Sequence, residues 1–295
     1  MKNINKKVIM DFGANKGQNI NYYLLKADIV VCVEANPELA KEIRKKFSAH
    51  IRNNKLFIEN VVVTKRKNYG KLINFYVNKN DVLSSNIKPK NSKDFHLVKV
   101  QSKTVKEILK KYLTKNRIFY YAKFDLEGYD AVVINSMLLG GFFPENISTE
   151  VHTLESLEAI FHSGKYTGYK LQEGNKVSQY VSLPIKTKDK TKAVKFVAHS
   201  AGPMGEDMPT PWLTERSIRN KLRVEGLGWK DVHATLLPNS DPIDIKYTEL
   251  FLIGMKRLPR LIYQALLPYS LRDHPEFKKF ISTRVYLMKN SPNTQ

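Results

Sequence analysis

Acidic side chains stand at the ends of four apolar runs: Asp11 in VIMDFG, Glu34 in VVCVEAN, Asp125 in YYAKFDLEG and Glu150 in NISTEVH. One stray acid at a strand end is commonplace. Four at matching positions mark strand ends that converge on a ligand, because ligands of open parallel sheets bind beyond the carboxyl ends of the strands. The first run leads into Asp11-Phe12-Gly13-Ala14-Asn15-Lys16-Gly17, a D-x-G-x-x-x-G turn. A three-glycine G-x-G-x-x-G turn sets a pyrophosphate against a helix N-terminus. Here Asp11 precedes the turn and would repel a pyrophosphate, so a nicotinamide dinucleotide is the weaker reading. A cationic or zwitterionic ligand is better matched, and S-adenosylmethionine carries a sulfonium, an amino group and a carboxylate. Gly13 and Gly17 let the backbone approach it closely. Glu34, near the end of the second run, is placed to accept both ribose hydroxyls.

Methyl transfer is an in-line displacement, so positioning carries much of the catalysis. A hydroxyl acceptor still has to lose its proton to a general base or a metal-bound group. Glu150 and His152 are two apart on an expected strand and point to one side. His152 is the leading candidate base; the plain alternative is a histidine that caps the next helix. Asp125 and Glu127 flank the same edge. Asp125, Glu150 and His152 also offer oxygen and imidazole ligands for a hard divalent cation. His199 and the Glu206-Asp207 pair fall in AHSAGPMGEDMPTPW, a Gly/Pro-rich stretch able to close over the acceptor, with ordinary loop hydrogen bonding as the stronger reading of these three side chains.

These residues need a frame to hold them. Residues 6–13, 29–37 and 55–64 read as buried strands. Ile20, Tyr23, Leu24 and Ala27 recur at helical spacing between the first two. After the second, Asn36 is a good N-cap, Pro37 suits the first helical position, and Leu39, Ile43 and Phe47 share one face. This β-α-β-α-β order with near-continuous apolar strands implies a parallel sheet covered on both sides. Two strands, over GKLINFYVNKND and FHLVKVQS, interrupt the rhythm. Thr104 and Glu107 then form a capping box for a helix that buries Val105, Ile108, Leu109 and Tyr112. Residues 118–128 and 146–153 are the fourth and fifth parallel strands. A helix begins near Tyr129, and another carries Leu154, Leu157, Ile160 and Phe161. From about 175 the pattern loosens. PIKTKDKTKAVKF reads as an exposed ribbon or loop, and TELFLIGM (248–255) as a strand that rejoins the sheet.

A chain of 295 residues with 42% hydrophobic residues can build a sizeable core. Cys32 is the only cysteine, which suits a reducing compartment. No apolar run approaches the length of a spanning helix, and the basic N-terminus reaches a glycine turn too early for a signal segment. A soluble, cytoplasmic protein is expected. The formal charge of +21 attracts polyanions such as nucleic acid, anionic lipid or phosphorylated sugars, or serves solubility alone. Residues 256–289 carry eight Lys/Arg against two acids, with Leu261, Ile262, Ala265 and Leu266 on one face. That basic helical tail reads as packing on the core or on a sister subunit in a homo-oligomer, with docking on an anionic membrane surface as the rival.

The segments DFGANKGQN, CVEANPEL, ENVVVT, KFDLEGYDAVVINSM and ISTEVH follow one another as in the FkbM family of S-adenosylmethionine-dependent methyltransferases, which residues 6–172 resemble. HSAGPMGEDMPTPW and GWKDVHA resemble, more loosely, the C-terminal part of FkbM-like proteins found with surface-polysaccharide genes. The resemblance implies a Rossmann-like class I methyltransferase sheet over residues 1–255, with 175–247 as an insertion that covers the acceptor and 256–295 as the tail. It implies methylation of a sugar hydroxyl, on a glycan, polysaccharide or nucleotide-sugar acceptor. It places Asp11, Gly13, Asn15 and Gly17 along the methionine end of the cofactor, with Asp125 beside them, Glu34 on the ribose, and Asn36 and Asn60 near the adenine. Val62 stands where many relatives carry alanine. A cap-type RNA 2′-hydroxyl acceptor is disfavoured, because its Lys-Asp-Lys-Glu tetrad needs a lysine on the helix after the fourth strand and none occurs between Lys123 and Lys165. A binding module that lost catalysis is the third reading.

Overall fold

A computed structural model describes residues 5–65, 68–79, 84–91, 93–186, 191–246 and 248–255. Two compact units are distinguished, one holding the described residues up to Leu222 together with Gly226–Asp244, the other Arg223–Glu225 and the described residues from Ile245 on. The larger unit is built on a seven-stranded sheet. Strand β1 (Lys6–Phe12) pairs in parallel with β2 (Ile29–Val33), and β2 with β3 (Leu56–Glu59). The helix α1 (Ile20–Lys26) connects β1 to β2, and α2 (Pro37–Lys46) with α3 (Ser48–Arg52) connects β2 to β3. All five residues of β2 are buried, as expected of a strand covered on both faces. Asn36 caps α2 by accepting from Glu38 N, with Pro37 at the first position.

The chain leaves this sheet for a smaller three-stranded one. There β6 (Phe95–Lys103) lies between β4 (Val62–Val63) and β5 (Leu72–Asn78). Thr104 and Glu107 form the reciprocal capping box that starts α4 (Val105–Tyr112), whose Val105, Ile108, Leu109 and Tyr112 are buried. Returning, β7 (Arg117–Phe124) inserts beside β1, α5 (Asp130–Leu139) follows, and β8 (Asn146–Glu150) pairs in parallel with β7. In this register Asp11 lies opposite Lys123, and Phe12 opposite Phe124 with their rings stacked at 4.8 Å. After α6 (Glu155–His162) comes β9 (Gly168–Glu173), the far edge of the sheet. The outcome is a mixed α/β fold with a parallel-rich central sheet.

Two expectations need correction here. Residues 248–255 are helical, not a strand. A short apolar run cannot be told from a buried helix by periodicity alone, and here Leu250 is buried while Phe251 and Leu252 are exposed. The strand that completes the sheet is β12 (Lys230–Thr235), all six residues buried, antiparallel to both β8 and β9. It arises inside the 175–247 segment, whose last part is therefore integral to the sheet. The expected lysine-rich ribbon is present as the antiparallel pair β10 (Ile185–Lys186) and β11 (Thr191–Lys192). Ile185 and Phe196 beside it are buried in the core with Tyr22 and Met204. A further helix, α7 (Glu215–Glu225), begins at a Thr214 cap. Among the described residues no helix is long and apolar enough to cross a membrane. The tail expected over 256–295, with its membrane and oligomer readings, lies outside the described residues.

Candidate functional site

Two cavities open at the carboxyl ends of β1, β2, β7 and β8. The turn after β1 separates and joins them. It is pinned on both sides: Gly13 N donates to Val33 O (2.9 Å), and Asp125 N donates to Phe12 O (3.0 Å). A Cβ on Gly13 would fall 1.9 Å from the Asp125 carbonyl oxygen, and its φ is +88°. Glycine is required there because the ends of β1 and β7 touch, before any ligand is considered.

The first cavity is bordered by Gly13, Glu34, Ala35, Leu39, Val61–Val63, Phe75, Asp125–Glu127 and Tyr129, among others. Its apolar walls suit a flat ring. Glu34 holds its rim: Oε2 accepts from Asn15 N and Oε1 from Asn36 N, both at 2.8 Å. Burial raises the Glu34 pKa to about 7 against the pull of those two amides. Each oxygen keeps a lone pair for a ribose hydroxyl. Asn60 Nδ2 donates to Glu34 O and Ala35 O, and the Asn36 side chain is spent on its helix cap. Neither lines the cavity, so they position its rim; Val62 lines it directly. Gly17 lines neither cavity, and its φ of +69° serves the turn.

The second cavity, about 330 Å³, is bordered by Asp11, Lys123, Glu150, His152, His199, Trp229 and Asp231, among others, and shares Gly13, Asn15, Asp125 and Glu127 with the first. Of the four non-glycine residues with positive φ among the described residues, three line it: Asn15, Glu127 and His199. Such strained backbone persists where surrounding structure over-determines it, and it gathers at functional sites. Lys123 Nζ lies 3.0 Å from Asp125 Oδ2 and 3.9 Å from Asp11 Oδ1. Burial disfavours its charge, but Asp125, Asp11 and Asp231 more than offset this and hold its pKa above that of an ordinary lysine. Burial lifts Asp11 to about 6, with Lys123 opposing and Asp125 adding. Asp11 Oδ1 is buried and accepts no hydrogen bond from any described residue. A carboxylate oxygen left in that state suits a cationic ligand, and the sulfonium and amino group of S-adenosylmethionine fit it.

The structure brings Asp11, Asp125, Glu127, Glu150 and His152 together. His152 stands in the bend after β8 rather than on the strand, yet its Nε2 meets Glu150 Oε1 at 3.0 Å. It does not cap α6, whose N-cap is Leu154. Burial raises the Glu150 pKa far above the carboxylate range, with Asp125, Asp231 and Glu127 adding to it. The expected metal set of Asp125, Glu150 and His152 is corrected. Among the described residues no group of three His, Cys, Asp or Glu side chains is arranged to hold an ion. The physical reason is pairing: the Lys123 ammonium takes Asp125, and His152 takes Glu150.

The Glu206-Asp207 pair follows the hydrogen-bonding reading rather than the acceptor one. Tyr22 donates to Asp207, Lys26 pairs with both acids, and Tyr120 donates to Glu206. They anchor their segment to α1 and β7 and do not border the second cavity. His199 does border it, stacked on Trp229 with centroids 5.3 Å apart. Asn19 secures that wall: its Nδ2 donates to Gly202 O and its Oδ1 accepts from Ala201 N, each at 2.9 Å. Lys123 and Asp231 went unassigned in the sequence. Lys123 carried a usable signal, a lysine inside a strand otherwise fit for burial. Asp231 lies in GWKDVHA, where nothing local marks a strand end.

The family described as methyltransferase FkbM domain matches residues 11–171. That is more than half of the chain, which therefore belongs to this family. No curated protein matches. Among solved structures, a methyltransferase FkbM from Methylobacillus flagellatus KT aligns at 12% identity over 57% of this chain and 40% of its own, with a TM-score of 0.36. A SAM-dependent O-methyltransferase from Thermotoga maritima aligns at 9% identity over 82% and 61%, TM-score 0.32. A precorrin-6y C5,15-methyltransferase from Geobacter metallireducens GS-15 aligns at 12% over 77% and 78%, TM-score 0.32. The chain thus spans 40% and 61% of the lengths of the first two.

Proposed function

We propose that the protein is an S-adenosylmethionine-dependent O-methyltransferase that acts on a sugar hydroxyl of a glycan, polysaccharide or nucleotide-sugar precursor. The observation that carries this reading is the meeting of the two cavities at Gly13, Asn15, Asp125 and Glu127. A nucleoside seated on the apolar walls by Glu34 extends past these residues into the acidic cavity. When bound, the cofactor supplies a methyl group activated by its sulfonium. The protein's own part is to hold that group beside Asp11 and Asp125 and to align an acceptor against it. The acceptor cavity is dense in carboxylates, which suits the hydroxyls of a sugar.

The family assignment supports methyl transfer, and the acceptor class rests on the cavity's chemistry. The test is a transfer assay from labelled S-adenosylmethionine to a panel of nucleotide sugars and glycan fragments, with capped RNA as control. Methylation of a sugar is expected. Methylation of the RNA and of no sugar overturns the acceptor assignment while leaving the cofactor assignment intact.

A further inference from the structure

Asp231 lies on β12, outside the span matched by the family. In the β12–β8 register it stands directly opposite Glu150, and in the β12–β9 register opposite Gln172. Residues paired across antiparallel strands put their side chains on one face, with Cβ atoms roughly 4.5–5.5 Å apart. The two carboxyls therefore sit side by side at the wall of the acceptor cavity. Gln172 Nε2 orients Asp231 by donating to its Oδ2 at 3.4 Å. The same amide donates to Ala201 O, on the segment that carries His199.

We infer that Asp231 is the general base that takes the proton from the acceptor hydroxyl, with Glu150 as its proton-holding neighbour. This inference rests on the proposed methyl transfer to a hydroxyl. Two adjacent carboxyls do not both ionise readily, so one keeps a proton and the other is left to act. Glu150, raised by burial and then by Asp125, Asp231 and Glu127, keeps it, with His152 Nε2 placed to accept from the protonated carboxyl. Burial, and then Asp125, lift Asp231 to about 7, where a carboxylate is a competent base at neutral pH. The groups facing it are Tyr121 and Lys123 from β7, Asp125 just after it, Glu150 from β8, Gln172 from β9, and Asp130 from α5. His152, by contrast, is 48% exposed with its Nε2 turned to Glu150. In the step, the hydroxyl oxygen bonds to the methyl carbon as the carbon–sulfur bond breaks. That bond's electrons remain on sulfur as a neutral thioether, and the hydroxyl proton passes to Asp231.

The test compares Asp231→Asn with His152→Ala on whichever acceptor the panel identifies. Asp231→Asn is expected to lower kcat by roughly 10²–10⁴-fold and to remove the rise of kcat through about pH 7. Its calorimetric Kd for S-adenosylhomocysteine should stay within about threefold, which also certifies folding. Loss of the pH limb in His152→Ala but not in Asp231→Asn overturns the inference, as does a kcat drop of less than about threefold in Asp231→Asn. A measurement on the unaltered protein guards against a misfolded variant. With ¹³C-carboxyl aspartate, one resonance should titrate near pH 7 and stop doing so when acceptor is bound. Its absence overturns the inference. A chain that methylates only RNA would instead fail the acceptor reading, and the same variants would still decide the base.

Discussion

The two cavities meet at four residues, yet they are put together in opposite ways. The walls of the first come largely from consecutive turns of one β-α-β-α-β run, residues 13–63, with β5 and the turn after β7 closing it. The second draws on residues 11–19, 123–127, 150–152, 199–201 and 229–231, joined across the sheet by β12 and by Asn19. The first cavity is mostly apolar, with Glu34 pinned at its rim and Asp125 and Glu127 only where it meets the second. The second concentrates Asp11, Asp125, Glu127, Glu150 and Asp231 around Lys123, within a chain whose formal charge is +21. A ligand shared by most members of a fold can be served by local turns. An acceptor peculiar to one member needs residues from wherever the fold brings them.

The most damaging change to both halves at once is Gly13→Val. The added Cβ meets the Asp125 carbonyl at 1.9 Å in a backbone of positive φ, a combined cost on the order of 4 kcal/mol. Titration calorimetry should detect no binding of S-adenosylmethionine, and the melting temperature should fall. Normal binding would mean that the cavities do not depend on the contact between β1 and β7. Lys123→Met comes next. It strips the acids of their buried cation, and urea unfolding should report a loss of about 3–5 kcal/mol. A smaller loss than that of a surface substitution would show that the carboxylates do not need it.

Asn19→Ala should separate the halves. A buried and a half-buried backbone group lose their partner at about 1–3 kcal/mol, and the His199 wall loosens. The acceptor KM should rise about tenfold while cofactor Kd changes less than threefold. Equal effects on both constants would erase the distinction between the cavities. The smallest effect is on pH dependence. Burial raises Asp11 to about 6, and Glu34 and Asp231 to about 7, so the folded state binds more protons than the unfolded chain between about pH 4 and 7. Stability of the ligand-free protein should therefore fall as pH rises through that window. A melting temperature a few degrees higher near pH 5.5 than near pH 8 is expected, narrowed by S-adenosylmethionine, whose sulfonium favours the ionised acids. A flat profile would mean that these carboxyls titrate as if exposed.

Much of the first cavity was legible in the sequence. The apolar strands, the Asn36-Pro37 cap, the Thr104–Glu107 box and the D-x-G-x-x-x-G turn are read from neighbours a few residues apart, and local rules hold there because local contacts dominate. Even so, the sequence could not say why Gly13 is glycine. The reason is a carbonyl more than a hundred residues away. The second cavity was legible only in part. Asp125, Glu127, Glu150 and His152 were found because each sits at a strand end. The metal reading failed because the Lys123 ammonium, which lies across the β1–β7 ladder from Asp11, neutralises the acids instead. Glu206 and Asp207 serve as hydrogen-bonding anchors because the hydrophobic burial of Tyr22, Met204 and Phe196 brings their segment onto α1. Asp231 stayed hidden because β12 enters the sheet antiparallel, where a mid-sequence Lys-Asp-Val-His carries no periodic signal of its own. Short-range periodicity and capping determine which elements exist. Only the packing of distant strands, driven by burial of their apolar faces, decides which charged groups share a cavity, and with them the chemistry.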